Sequence, residues 1–152
     1  MRFWEIYSYL YSLSLKTSFP YRHLLEDLSN TLRAEEGEDI LDAGCGPGLV
    51  IERIVEDNKG KGISITGLDF NERMIRQARN RCRNLANVTL RVADLNGGLQ
   101  FPDSFFHKVI CCNTLYALEN PHKVVSEFHR VLKRGGAVII ANPKPKAGEN
   151  PL

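Results

Sequence analysis

Long apolar runs, paired-cysteine motifs and a strong net charge are all missing from this chain of 152 residues. No stretch of 18 apolar residues occurs, so the sequence contains no segment expected to span a membrane. The formal net charge of +2 is too small to indicate nucleic-acid binding by itself. We therefore expect neither a membrane nor a nucleic acid among the partners of this protein.

The four cysteines also lack the spacing of a metal site, because none forms a Cys-x-x-Cys pair. Cys111 and Cys112 are adjacent, and their side chains would project to opposite faces of a strand. The sequence therefore predicts no metal site. It predicts buried, reduced thiols, which are typical of a cytoplasmic protein.

A secretory signal peptide is not expected at the N-terminus. Residues 1–15 are rich in aromatic residues and leucine, but Glu5 interrupts them and no small-residue cleavage site follows. Tyr7 and Tyr11 recur at helical spacing with Phe3 and Leu10. This spacing predicts an amphipathic helix that packs on its own domain.

Beyond this segment the chain alternates amphipathic stretches with short apolar runs. The pattern predicts helices over residues 21–32, 47–57, 71–85 and 121–134, and strands over residues 39–43, 63–69, 88–92, 108–112 and 137–141. Alternating strands and helices with apolar strands indicate an α/β fold, a doubly wound parallel sheet covered on both faces. Ligands of such sheets bind at the carboxyl ends of the strands.

A glycine turn follows the first predicted strand, in the sequence Ile-Leu-Asp-Ala-Gly-Cys-Gly-Pro-Gly over residues 40–48. Glycine lets the backbone approach a ligand where a Cβ atom would clash. Leu49 stands where the dinucleotide fingerprint has its third glycine. Asp42 would repel a pyrophosphate but would suit an ammonium or sulfonium group. The sequence thus disfavours NAD and indicates a nucleoside with a cationic tail.

Five segments, taken in order, resemble the motifs of the class I S-adenosylmethionine-dependent methyltransferases. They are residues 41–48, Asp69, residues 93–95, residues 110–121 and residues 132–136. Each segment alone is common, but their shared order over residues 40–142 is specific. The resemblance implies about five mostly parallel strands in the order 3-2-1-4-5, with N-terminal helices.

The resemblance also implies S-adenosylmethionine as the cofactor. It assigns the cofactor contacts to Asp42, Gly44, Cys45, Gly46, Gly48, Asp69, Phe70, Met74, Asp94, Leu95 and Asn113. The backbone at Gly44, Cys45 and Gly46 would approach the methionine part, and the carbonyl of Asn113 would hold its amino group.

Five of these side chains have roles with a simple physical basis. Asp42 would balance the positive end of the cofactor, and Asp69 would accept hydrogen bonds from both ribose hydroxyls. Phe70 and Leu95 would enclose the adenine ring between apolar surfaces. Asp94 would accept a hydrogen bond from the adenine amine.

The acceptor side is less specific, and the sequence assigns no catalytic residue. The family forms its acceptor pocket from the N-terminal helices and the loop after strand 4, which makes Tyr7, Tyr11, Tyr21 and Tyr116 the candidates for substrate contacts. Residues 113–116 do not match the motif of enzymes that methylate base or glutamine amines. We therefore expect a small-molecule methyl acceptor.

The predicted organisation is a single domain over residues 1–152. It comprises a helical lid (1–36), a cofactor-binding core (37–142) and an irregular tail (143–152). The C-terminal antiparallel hairpin of the family is not expected in this sequence, which would leave strand 5 as an apolar edge open to pairing with another chain. Either the sequence is a fragment, or the protein pairs through this edge, or the N-terminal helices and the tail cover it. Of these, we expect a homo-oligomer formed through that edge. The alternative is a cofactor-binding module without turnover of its own.

Overall fold

The computed structural model describes residues 19–142, in which helices and strands alternate. The helices are α1 (Phe19–Leu32), α2 (Leu49–Asp57), α3 (Glu72–Arg81) and α4 (Pro121–Val131). The strands are β1 (Asp39–Ala43), β2 (Ser64–Asp69), β3 (Val88–Val92), β4 (Phe106–Cys112) and β5 (Leu132–Ala141). Two 3-10 turns, Leu95–Gly97 and Leu115–Ala117, follow β3 and β4 respectively.

The five strands form one parallel sheet in the order β3-β2-β1-β4-β5, which confirms the predicted fold class. Successive strand residues point to opposite faces, so Ile40 and Leu41 belong to two separate core clusters. Helices α1, α2 and α3 cover the face of Ile40, and α4 covers the face of Leu41. Cys112 and Cys111 divide between the two faces in the same way, as their adjacency predicts.

Asn71 and Asn120 are the N-caps of α3 and α4, at or next to the positions where the sequence predicts these helices to begin. The side chain of Asn71 accepts a hydrogen bond from the amide of Arg73, and that of Asn120 accepts one from the amide of Lys123. Helix α3 ends at Arg81 rather than near residue 85. Helix α2 begins at Leu49, two residues later than predicted, because Gly48 is its N-cap in the left-handed conformation.

The prediction was wrong about the junction of α4 and β5. The helix ends at Val131 and the strand begins at once, rather than at residue 137. Gly135 has φ of +81°, and a Cβ atom at Gly136 would lie 2.7 Å from the carbonyl oxygen of His107. These glycines form an irregularity within β5, where the register against β4 shifts, instead of the turn before it.

Strand β5 lies at one end of the sheet and has no partner on its outer side within residues 19–142. Its apolar side chains Val138 and Ile140 are exposed. In the same part of the chain, no helix has the length and apolar character needed to cross a membrane.

Candidate functional site

The carboxyl ends of four neighbouring strands place the predicted site residues along one edge of the sheet. Asp42 on β1 lies opposite Gly67 on β2 and Ile110 on β4. Asp69 ends β2 opposite Val92, and its carbonyl accepts a hydrogen bond from the amide of Ala93, the residue that follows β3. The loops that carry Asp94 and Asn113 therefore leave the sheet at the same edge.

The three glycines of the turn all have positive φ, but their surroundings differ. A Cβ atom at Gly44 would overlap the side chain of Thr114, and one at Gly48 would lie 3.1 Å from the Cβ of Ala78. A Cβ atom at Gly46 would meet nothing within 4 Å. Packing therefore explains the absence of a side chain at Gly44 and Gly48, whereas Gly46 borders open space.

The amide groups of this turn are already used within the protein. Those of Gly44 and Cys45 both donate to the carbonyl of Leu68 at 2.8 Å, and that of Gly48 donates to the carbonyl of Cys45 at 3.0 Å. The amide of Gly46 donates to Oδ2 of Asp69 at 2.9 Å. A phosphate site at a glycine turn needs free amide donors, so this geometry disfavours a pyrophosphate ligand for a second reason.

The carboxyl group of Asp69 lies against the turn, as the sequence predicts. Its Oδ2 accepts from the amide of Gly46, and its Oδ1 accepts from the amide of Asn71 at 2.8 Å. Burial raises the pKa of this carboxyl, and the two amide hydrogen bonds act in the opposite direction. Each carboxylate oxygen can accept two hydrogen bonds, so Asp69 keeps capacity for further donors.

Asp42 differs from Asp69 because its carboxyl group has no hydrogen-bond partner in the part of the chain that the structure describes. Its side chain is 1 % exposed, and neither carboxyl oxygen makes a hydrogen bond with any described residue. Burial raises the pKa of Asp42 to about 7, and the charge of Asp69 contributes to the shift. A buried carboxylate without a counter-charge is costly, so this position favours the arrival of a cation.

The residues expected around an adenine ring differ in how much surface they offer. Phe70 is 73 % exposed, whereas Leu95 is 4 % exposed and packs in the core cluster under α4. Met74 is buried on α3. Oδ1 of Asp94 accepts from the amide of Asn96 at 2.9 Å and caps the following 3-10 turn. A ring bound at this position would therefore stack mainly on Phe70.

The loop after β4 contacts the glycine turn through a residue that the sequence analysis did not select. Oγ1 of Thr114 lies 3.0 Å from the carbonyl of Cys112 and 3.3 Å from that of Gly44. The neighbouring Asn113 has φ of +52°, and its amide donates to the carbonyl of Ala141 at 2.7 Å. No local sequence pattern identifies Thr114, because its contact with Gly44 spans 70 residues.

Two of the four candidate substrate tyrosines lie in the described part of the chain. Tyr116 is 51 % exposed in the 3-10 turn after β4, at the same edge as the glycine turn. Tyr21 is partly buried near the start of α1, which packs on α2. Tyr7 and Tyr11 lie outside the described residues. Within residues 19–142, no group of three or more His, Cys, Asp or Glu side chains has an arrangement that could hold a metal ion.

Comparison with known proteins gives a consistent result. The model of a family described as a methyltransferase domain matches residues 34–151. Demethylmenaquinone methyltransferase of Tropheryma whipplei (strain Twist) is 35% identical over 104 residues, which are 68% of this chain and 41% of that protein. The ubiquinone biosynthesis O-methyltransferase of Pseudomonas paraeruginosa is 30% identical over 114 residues, which are 73% of this chain and 47% of that protein.

Among solved structures, the chain resembles a SAM-dependent methyltransferase from Aquifex aeolicus. The TM-score is 0.71 at 23% identity, over 84% of this chain and 68% of the other, and the likeness at this identity shows the fold. The chain spans less than half the length of the two curated relatives named above.

Proposed function

The chain belongs to the class I S-adenosylmethionine-dependent methyltransferases, and we propose that it binds S-adenosylmethionine and transfers its methyl group to a small-molecule acceptor. The observation that carries the proposal is the unpartnered carboxyl of Asp42, buried beneath a turn whose Gly46 borders open space. A cation near this carboxyl would offset part of the cost of its burial. S-adenosylmethionine has a sulfonium and an ammonium group in its methionine part.

The residues present fit the parts of this cofactor. Asp69, held against Gly46, has lone pairs left for a ribose hydroxyl pair, and the exposed ring of Phe70 is next to it in the chain. Asp94 would accept a hydrogen bond from the adenine amine, and the carbonyl of Asn113 would accept one from the ammonium group. The backbone of Gly44 and Cys45, and the positions of Gly48, Met74 and Leu95, would complete the site.

The bound cofactor would supply a methyl group on a positively charged sulfur. This methyl group is activated because a neutral thioether leaves when the methyl group is transferred. The protein then has to place the acceptor atom in line with that methyl group and exclude water. No residue within 19–142 needs to form a covalent bond in this reaction, and we assign none as catalytic.

The acceptor is proposed to be a small molecule of the quinone-precursor type. The two curated relatives carry the names of menaquinone and ubiquinone biosynthesis enzymes, which supports this class. Tyr116, on the loop that contacts the glycine turn through Thr114, is the described candidate for an acceptor contact. The lid of residues 1–36, which includes Tyr7, Tyr11 and Tyr21, would form the rest of the pocket over the core of residues 37–142.

A further proposal concerns the assembly of the chain, and a second candidate function remains. Within residues 19–142 the outer side of β5 has no partner strand, and Val138 and Ile140 are exposed, which supports self-association of the chain through this edge. The alternative function is a cofactor-binding module without turnover.

Calorimetry with S-adenosylhomocysteine and with NAD tests the binding proposal. We expect saturable binding of S-adenosylhomocysteine and none of NAD, and the reverse result would overturn the proposal. Transfer of labelled methyl from S-adenosylmethionine to demethylated quinol acceptors then separates the enzyme from the module. Binding without any transferred label would support the module.

A further inference from the structure

Asp42 is unlike the other buried polar side chains of residues 21–142. Glu38 accepts from Lys108 and from the amide of Glu35, and Nδ2 of Asn58 donates to the carbonyl of Ile54 at 2.8 Å. Both oxygens of Asp42 remain without a partner, and they are the only such buried side-chain atoms in this part of the chain. Since buried polar groups in proteins are normally paired, this exception requires an explanation.

Among the described residues, no cationic side chain acts on Asp42. Asp69 on β2 is the charge that acts on it. The charge of Asp42 in turn contributes to the raised pKa of four thiols. They are Cys45 on the glycine turn, Cys82 at the end of α3, and Cys111 and Cys112 on β4. Arg81, which precedes Cys82, pairs instead with Glu52 of α2 at 2.7 Å.

We propose that Asp42 makes the site selective for a cationic ligand by exchanging its proton for the positive charge of that ligand. In the empty site the carboxyl holds a proton, which avoids an unpaired buried charge. When the ligand binds, the O–H bond breaks, the proton leaves to the buffer, and the carboxylate faces the ammonium or sulfonium group. This inference rests on the proposed function, in which the ligand is an adenosyl compound with a cationic tail.

Asp69 is not the group that exchanges the proton. Both of its oxygens accept amide hydrogen bonds, from Gly46 and from Asn71, and these bonds favour the ionised form. Asp42 has no such bonds, and burial places its pKa at about 7 in the absence of a ligand. The proton exchange should therefore occur in the neutral pH range.

Two ligands separate charge recognition from nucleoside recognition. S-adenosylhomocysteine carries an ammonium group on its tail, whereas 5′-methylthioadenosine has the same nucleoside and no charged tail. Calorimetry in buffers of different ionisation enthalpy counts the protons released on binding. We expect about one proton released by S-adenosylhomocysteine at pH 6 and almost none at pH 8. Its affinity should rise about tenfold between these pH values, and that of 5′-methylthioadenosine should stay constant.

Variants identify the group that releases the proton. Asp42→Asn should abolish the release and flatten the pH dependence of the affinity for S-adenosylhomocysteine. Glu56→Gln, an exposed carboxylate on α2, is the matched control and should behave as the unchanged protein. Asp69→Asn should weaken both ligands alike.

Several results would overturn the inference. S-adenosylhomocysteine could bind without proton release at pH 6, or the release could persist in Asp42→Asn. Failure of both ligands to bind would overturn the proposed function itself, together with this inference. If Asp42→Asn does not fold, infrared spectroscopy of the unchanged protein provides the second test. The carbonyl band of a protonated carboxyl should disappear with S-adenosylhomocysteine and remain with 5′-methylthioadenosine.

Discussion

Two buried carboxyl groups lie at opposite ends of strand β1, and their surroundings are opposite. Glu38, just before the strand, lies 2.8 Å from Nζ of Lys108 and accepts the amide of Glu35 at 2.8 Å. Asp42, near the end of the strand, has no hydrogen-bond partner among residues 19–142. Four residues apart in sequence, one carboxyl has two donors within the described part of the protein and the other has none.

Other residues at the two edges of the sheet differ in the same way as these two carboxyl groups. At the amino ends of the strands, the amide of Asp39 donates to Nδ1 of His107 at 2.9 Å, and Lys133 lies 3.5 Å from the Asp39 carboxylate. At the carboxyl ends, Phe70 is exposed and Gly46 borders open space. The comparison indicates that interactions at the amino-terminal edge stabilise the fold, while the carboxyl-terminal edge leaves groups available for a ligand.

The two carboxyl groups should also affect stability with opposite pH dependence. Burial acts to raise the pKa of Glu38, but the hydrogen bonds from Lys108 and Glu35 outweigh it and the pKa is lowered. Its stabilisation is present above its ordinary pKa and is lost as the pH falls. The pKa of Asp42 is raised from 3.8 to about 7, so stability decreases as the pH rises through that interval.

The largest expected effect comes from removing the unpaired charge. Asp42→Asn should raise the free energy of unfolding of the cofactor-free protein by about 4 kcal/mol at pH 8. At pH 4 the effect should fall below about 1 kcal/mol, because the carboxyl is then protonated in the folded state and, with its ordinary pKa of 3.8, partly protonated in the unfolded state. Urea unfolding at pH 4, 6 and 8 measures the difference. An equal effect at all three values would contradict the assignment.

Much of the fold could be predicted from the sequence because its signals are local. The bounds of β1 and β3 and the caps Asn71 and Asn120 depend on residue types within a few positions. The start of β5 could not be predicted in this way. Gly135 and Gly136 indicate a turn locally, but the pairing of β5 with β4 places them within the strand.

The site was predictable in position but not in its contacts. The order of the motifs places Asp42 and Asp69 at the carboxyl ends of neighbouring strands, as the structure shows. The partner of Glu38 is 70 residues away at Lys108, and the contact of Thr114 with Gly44 spans the same separation. Such pairs arise only when the sheet assembles, so a single sequence gives no sign of them.

The next largest effect should come from Glu38, the paired carboxyl at the amino-terminal end of β1. Lys108→Met leaves Glu38 buried without its cation and should lower the free energy of unfolding by about 3 kcal/mol at pH 7. Lys133→Met is the control, since its ion pair with Asp39 is longer and more exposed and should contribute less than about 1 kcal/mol. The double variant Glu38→Gln, Lys108→Met should recover part of the loss. No recovery would show that the pair is not the cause.

Two glycines sharpen the comparison between the two edges. Gly46 and Gly37 both have positive φ, and a Cβ atom at either would meet nothing within 4 Å. Substitution by alanine should therefore cost each about 1 kcal/mol of stability, from backbone strain alone. Only Gly46→Ala should also weaken the binding of S-adenosylhomocysteine, at least tenfold, because its methyl group would enter the ligand space. Equal affinities of the two variants would place the ligand elsewhere.

The smallest expected effect concerns Thr114, whose hydroxyl connects the loop after β4 with the glycine turn. Thr114→Val removes a hydrogen bond worth about 1 kcal/mol, while Thr114→Ser retains it. At the opposite edge, Lys61→Met removes the bond from Nζ to the carbonyl of Ala34. We expect Thr114→Val and Lys61→Met to lower stability similarly, but only Thr114→Val to weaken S-adenosylhomocysteine binding, by about threefold, because the turn would lose its position. If Thr114→Ser weakens binding as much as Thr114→Val, the hydroxyl is not the group that positions the turn.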